Sequence, residues 1–367
     1  MKYNEQKSVK SGLEKGLSTI ELLISIAIFF VVMSSVYGIL KIGNLSRTTT
    51  NSRSENIKNV RIALNTIGRE AVNAGLGYNR IGGTVPDDFT TFNFELPPDP
   101  DTLPDLLTAI STGVNITPSD FSKNGEKNDV VAFAFRDFQF NDGFPIVIND
   151  ATQSGNTLIL KTPNGACANC RPYDLFLIET GKGQQSLILS TDIVNENTIV
   201  LAQDALNLNF GKCTPPGNGN GNAFGVCMNN NNIKKCINGL LQNCIDYSST
   251  SVVAKKIYLV SYRVAADGTL IRTTFGNNTG ADGDNQIVQH PIASGVRSLK
   301  IQYLMEDGTT STDPSVANVQ KEKCNDIVQI DISLTVESNT DQMGFINSNL
   351  ITLNSTFSTR NLKYDVY

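Results

Sequence analysis

Tryptophan is absent from this 367-residue chain, histidine occurs once, at His290, and aromatic residues make up only 7%. One histidine in the stretch Gln289-His290-Pro291, read as a loop, offers no partner for a histidine-based triad or a multi-histidine metal centre. No G-x-S-x-G elbow, Walker loop, H-E-x-x-H helix or dinucleotide fingerprint occurs, so the common hydrolase, nucleotide-binding, zinc-protease and Rossmann chemistries have no motif to rest on. No A-x-A-like site follows the apolar stretch near the N-terminus, which separates it from an ordinary secretory signal. The sequence therefore predicts no enzyme, no cofactor and no metal site. Asp282-Gly283-Asp284-Asn285 could offer oxygens to calcium, but it lacks the spacing of a calcium loop and reads as a turn.

What the chain does have is concentrated at its start. Leu22 to Leu40 is a run of 19 residues without a charge. As a helix it extends about 28 Å at roughly 1.5 Å per residue, close to the hydrocarbon thickness of a bilayer. Sixteen mostly polar residues precede it, with Lys2, Lys7, Lys10 and Lys15 against Glu5 and Glu14, and this positive bias holds the N-terminus in the cytoplasm. One acid, Glu21, stands at the leading edge of the span. At the centre of a bilayer a carboxylate costs about 2.5 to 3.5 kcal/mol, and less near an end.

A second pattern follows. Ile57, Val60, Leu64, Ile67, Ala71 and Ala74 recur at alternating spacings of three and four, giving one apolar face, and Gly75 and Gly77 supply the stop. If Leu17 to Ala74 is nearly continuous, the 58 residues span about 87 Å, with Gly38 and Gly43 as the easiest points to bend. This stripe predicts packing against a globular head.

The 292 residues from Leu76 onward are rich in Asn, Thr, Ser and Gly. Val85 to Lys127, with six prolines up to Pro118, reads as irregular apart from a short helix at Pro104–Ser111. Strands are expected at Asp129–Phe135, Thr157–Lys161, Asp174–Glu179, Ser186–Ser190 and Thr198–Ala202. A hairpin is expected from Lys255–Val264 through Asp267-Gly268 to Thr269–Phe275, followed by strands at Ser298–Met305, Ile327–Val336 and Ile351–Thr359. Consecutive strands without helical crossovers predict an antiparallel sheet and an α+β fold.

Seven cysteines, Cys167, Cys170, Cys213, Cys227, Cys236, Cys244 and Cys324, fit disulfides formed outside the cytoplasm, and the odd number leaves at least one thiol free or paired with another chain. Cys213 to Cys244 enclose a Gly- and Asn-rich stretch, Pro215 to Asn232, too poor in apolar residues to pack alone, within a Cys-bracketed insertion of about residues 205–247. Cys167-Ala168-Asn169-Cys170 could instead be a zinc or redox pair, but no second C-x-x-C accompanies it.

Gly16-Leu17-Ser18-Thr19-Ile20-Glu21-Leu22-Leu23 resembles the junction of type IV prepilins and type II secretion pseudopilins. The resemblance implies a cytoplasmic leader, residues 1–16, cut after Gly16 by a prepilin peptidase. It also implies an N-methylated amine on Leu17 and an assembly contact at Glu21, whose carboxylate would meet the amine of a neighbouring subunit. The helix would then run over residues 17–75, spanning the membrane at about 20–42, and carry a type IV pilin-like β head over 76–367. Removal of the leader would leave 26 basic and 33 acidic residues, a net charge of −7 that argues against broad electrostatic binding of nucleic acid.

Within that group, Gly68 to Tyr78, Gly295 to Tyr303, Ile327 to Ser338 and Thr359-Arg360-Asn361 resemble PilW-type minor pilins. The implied function is to initiate or cap a type IV pilus. The implied partners are other minor and major pilins, the peptidase, the inner membrane and the pilus assembly platform, and the subunit ends at the cell surface. A minor pseudopilin of a type II secretion system shares the junction. A membrane-anchored adhesin or binding protein would keep its leader and use the Cys-bracketed insertion.

Overall fold

The computed structural model describes residues 18–78, 82–85, 105–118, 127–154, 157–181, 185–206, 208–209, 227–229, 232–237, 240–246, 252–314, 324, 326–338 and 349–359. The chain divides into two units. One holds Met1–Ser54 with Thr340–Ile346, and the other holds Glu55–Asn339 with Asn347–Tyr367.

A single helix, α1 (Thr19–Asn73), passes from the first unit into the second and is helical through both Gly38 and Gly43. In the first unit its apolar side chains are exposed: Ile20, Phe30, Val31, Tyr37 and Ile39 are all more than 60% exposed. Its hydroxyl groups fold back on the helix, Ser35 donating to the Val31 carbonyl at 2.9 Å and Thr50 to that of Ser46 at 2.8 Å. A hydroxyl bonded in this way makes less demand on water, and the helix is long and apolar enough to cross a membrane.

In the second unit α1 changes character. Val60, Leu64, Ile67, Ala71 and Ala74 are buried together with Ala63, while Ile57 lies only partly inside. Gly68 lets the helix approach closely, since a Cβ there would clash with the Phe357 ring. The helix stops as the glycines dictate, with Gly75 at φ +79° and Gly77 at φ +62°. The chain leaving it docks on the strand Lys127–Arg136, the Gly75 N–H donating to the Ala134 carbonyl at 2.9 Å and the Arg136 N–H to that of Leu76 at 2.8 Å.

The same segment carries a buried charge. Glu70 is only 4% exposed; its carboxylate accepts the Tyr262 hydroxyl and two guanidinium bonds from Arg272, from Nη2 at 2.6 Å and Nε at 3.0 Å. Arg272 also donates to Thr274 at 2.8 Å. Burial works against the Arg272 charge, but its bonds to Glu70 prevail and raise its pKa above the ordinary arginine value. Burial, reinforced by the neighbouring Glu70, pushes the Tyr262 phenol far up and keeps it neutral.

The strand Val252–Val264 organises the sheets. Its first residues pair with Leu175–Thr180 on one side and Ile146–Ile148 on the other. Its later residues pair with Lys127–Arg136 and with Leu270–Phe275, which in turn pairs with Ile287–Ala293. A four-stranded sheet in the order Asp192–Val194, Thr198–Leu201, Thr157–Lys161 and Asp150–Ser154 packs a second core with Phe140, Phe176, Val252 and Ala254. Another runs Thr310–Ser311, Val296–Met305, Ile327–Ser338 and Asn349–Ser358, and its apolar face joins the α1 stripe in the main core. Every described pairing is antiparallel except the single bridge from Thr84 to Ser186. The fold is therefore α+β, a long apolar N-terminal helix with a large, mainly antiparallel β region.

Two expectations change. Pro104–Ser111 is not a helix: Asp105–Leu107 and Ile110–Pro118 are strands, the second pairing with Lys127–Arg136 so that Ile110 stands opposite Phe133. The β-branched residues Ile110, Thr112, Val114 and Ile116 favour that extended state over the helix start suggested by Pro104. His290 is not in a loop but on the edge strand Ile287–Ala293, exposed and opposite Arg272, with Pro291 tolerated because that strand is an edge.

Candidate functional site

Gly16 and Leu17 lie outside the described residues. The next four residues form the helix start. The Ser18 carbonyl accepts the Glu21 N–H at 2.9 Å and the Leu22 N–H at 3.1 Å, while the Ser18 N–H donates to the Glu21 carboxylate at 3.0 Å. The Ser18 hydroxyl lies 3.4 Å from the Ile20 N–H. This is the reciprocal capping arrangement of a Ser-x-x-Glu start, and it places the carboxylate at the positive end of the helix dipole. The sequence carried that signal, Ser18 followed three residues later by Glu21 ahead of an apolar run, and the reading of Glu21 as an intersubunit contact passed over it.

Glu21 thus has a local partner within its own chain. The carboxylate is held against the amide of residue 18, at the first described residue of the chain. Immediately beyond it begins the exposed apolar surface. Fully burying a Leu, Ile, Val or Phe side chain is worth about 1.5 to 3 kcal/mol, so a surface of this extent favours an apolar environment.

The cysteines separate into three groups. Cys167 and Cys170 form a disulfide that closes a turn against the second core, with the Cys167 N–H donating to the Glu196 carbonyl at 3.0 Å. Both thiols of the C-x-x-C motif are joined to each other. Cys324 is a buried free thiol; burial pushes its pKa up to about 12, against a smaller opposing contribution from a hydrogen bond with Thr108. We expect Cys324 to resist alkylation at pH 8 in the folded protein and to react fully once unfolded, read by peptide mapping after iodoacetamide treatment. Cys213 lies outside the described residues. Cys227, Cys236 and Cys244 belong to a three-stranded antiparallel sheet, Cys227–Asn229, Asn232–Ile237 and Leu240–Asp246, within the expected insertion.

Asp282 ends a short 3-10 turn, its carbonyl accepting the Asn285 N–H at 2.9 Å. Among the described residues no group of three or more His, Cys, Asp or Glu side chains gathers in a form that could hold a metal ion. A groove of about 620 Å³ lies on the outer side of the last sheet, lined in part by Asn115, Lys300, Gln302, Asp331 and Asn354. Its lysine is already engaged, Lys300 donating to Asn115 Oδ1 at 2.6 Å and to the Lys127 carbonyl at 2.7 Å. The chain matches no protein-family model and no curated protein.

Proposed function

We propose that this chain is a type IV prepilin-like subunit, a minor pilin of the PilW type that helps to initiate or cap a type IV pilus, and that its work is assembly, not catalysis. The observation that carries this reading is the exposed, uncharged apolar half of α1, which opens on the Ser18–Glu21 cap directly after Gly16-Leu17. A leader cut after Gly16 would leave an amine on Leu17 beside the amide that Glu21 already binds. The acid would then have two calls on it, its own helix start and a neighbour's amine. Packing of several spans would let each carboxylate meet a cation away from water, and the pairing would favour association over the isolated span.

Substitution at Glu21 separates the two roles. Glutamine retains the capping geometry, since Ser-x-x-Gln also closes the box, but removes the charge. We expect Glu21→Gln and Glu21→Ala alike to lower co-purification with partner pilins from the producing cell at least tenfold, with helix content unchanged by circular dichroism. Wild-type incorporation of Glu21→Gln would reduce the residue to a helix cap and remove its assembly role.

A further inference from the structure

The last sheet has one closed edge and one open edge. On the closed side, the strand Val296–Met305 has its main-chain donors taken by side chains of Lys127–Arg136: the Leu299 N–H donates to Asn128 Oδ1 at 2.7 Å and the Ile301 N–H to Asp129 Oδ2 at 2.9 Å. On the open side, Asn349–Ser358 pairs only with Ile327–Ser338. Among the described residues its outer edge has no hydrogen-bond partner.

The other edges among the described residues are blunted in the ways natural sheets avoid unwanted pairing. Ile287–Ala293 contains Pro291 and a register shift, and Ile110–Pro118 shifts register between Gly113 and Thr117. Leu240–Asp246 follows a shifted register and ends on an acid. The remaining described edges are five residues or shorter. Asn349–Ser358 instead offers ten residues in unbroken register, with no charge and no proline.

The side chains tell the same story. On the preceding strand Ile330, Ile332, Leu334 and Val336 are at most 1% exposed, whereas Ile351, Leu353 and Phe357, on the same core face, are only half-buried. The apolar core that covers α1 is therefore left open along this rim. Thr352, Asn354, Thr356 and Ser358 are exposed on the other face. An added strand would satisfy the edge and cover the rim only if its apolar residues faced the α1 side and its polar residues faced out.

We infer that the Asn349–Ser358 edge is a strand-acceptor site, and that its occupant is an extended segment of alternating apolar and polar residues supplied by a different subunit. The choice of a different subunit rests on the pilin reading. Two copies pairing edge to edge in antiparallel fashion are related by a two-fold axis normal to the sheet, which turns their Glu55–Asn73 helical segments in opposite directions. Subunits anchored side by side in one membrane cannot meet in that way.

The test uses the full chain in detergent and follows hydrogen exchange across Asn349–Ser358. The probe is a synthetic peptide of that same ten-residue sequence, with a scrambled peptide of equal composition as control. We expect the alternating peptide to slow the exposed amides of the segment at least tenfold and the scrambled one to leave them unchanged. No slowing, or equal slowing by both peptides, overturns the acceptor site. Protection without peptide, accompanied by a dimer in sedimentation, overturns the assignment to a different subunit. A chain that begins at Leu17 with an unprotectable edge would reject this inference alone, whereas a protectable edge on an uncut chain would reject the pilin reading and leave the acceptor site standing.

Discussion

Glu70→Ala should destabilise the β region by about 3 kcal/mol, because it leaves the buried Tyr262 hydroxyl without its acceptor and the half-buried Arg272 guanidinium without its counter-charge. The carboxylate accepts the Arg272 Nε and Nη2 bonds and the Tyr262 hydroxyl. Glu70→Gln should recover little, because it retains the shape but leaves the guanidinium without its counter-charge. The triple variant Glu70→Leu, Tyr262→Phe, Arg272→Met should regain most of the loss, since apolar groups of similar volume demand no partner. Denaturant unfolding of the detergent-solubilised chain, followed by circular dichroism, reads all three. A loss below about 1 kcal/mol for Glu70→Ala would show that α1 is held by its apolar stripe alone.

Asp129→Ala is the second large effect, expected at about 3 kcal/mol. This residue is 3% exposed and accepts the Asn115 N–H at 3.0 Å and the Ile301 N–H at 2.9 Å, with Lys300 Nζ at 3.7 Å. It ties the strand Val296–Met305 to Lys127–Arg136 through bonds that no sheet ladder supplies. Asparagine at this position has one acceptor oxygen for two donors and turns an amide toward one of them, so Asp129→Asn should cost nearly as much. The same unfolding measurement applies, and hydrogen exchange should show the Ile301 amide losing protection first. Unchanged protection at Ile301 would place the constraint elsewhere.

Much of the β region was legible because alternation is a local signal. Ile330, Ile332, Leu334 and Val336 alternate with Asp331, Ser333 and Thr335, and they fall inside the strand Ile327–Ser338 with the apolar set buried. Thr157–Lys161 and the turn at Gly268, with φ +75°, follow from equally local patterns. The α1 stripe was legible in the same way, but Glu70 was not. Its partners stand 192 and 202 positions away, and apolar spacing passes over a buried acid. Asn128 and Asp129 were hidden for the same reason, since the Leu299 and Ile301 amides they bind lie 171 and 172 residues on. The short strands Ile146–Ile148 and Asp192–Val194 are too brief to show a period, and they exist because longer neighbours offer them an edge. The Ser18–Glu21 cap is the opposite case, a local motif in plain view whose acid was assigned only to a distant partner.

The central claim is that Gly16-Leu17 is a processing junction and not the approach to an uncut anchor. Intact-mass measurement and N-terminal sequencing of the protein extracted from its native membrane address it most directly. Cleavage after Gly16 predicts a chain that begins at Leu17, with a methyl group on the new amine. Recovery of a chain that begins at Met1, or one cut beyond Gly38, would contradict it.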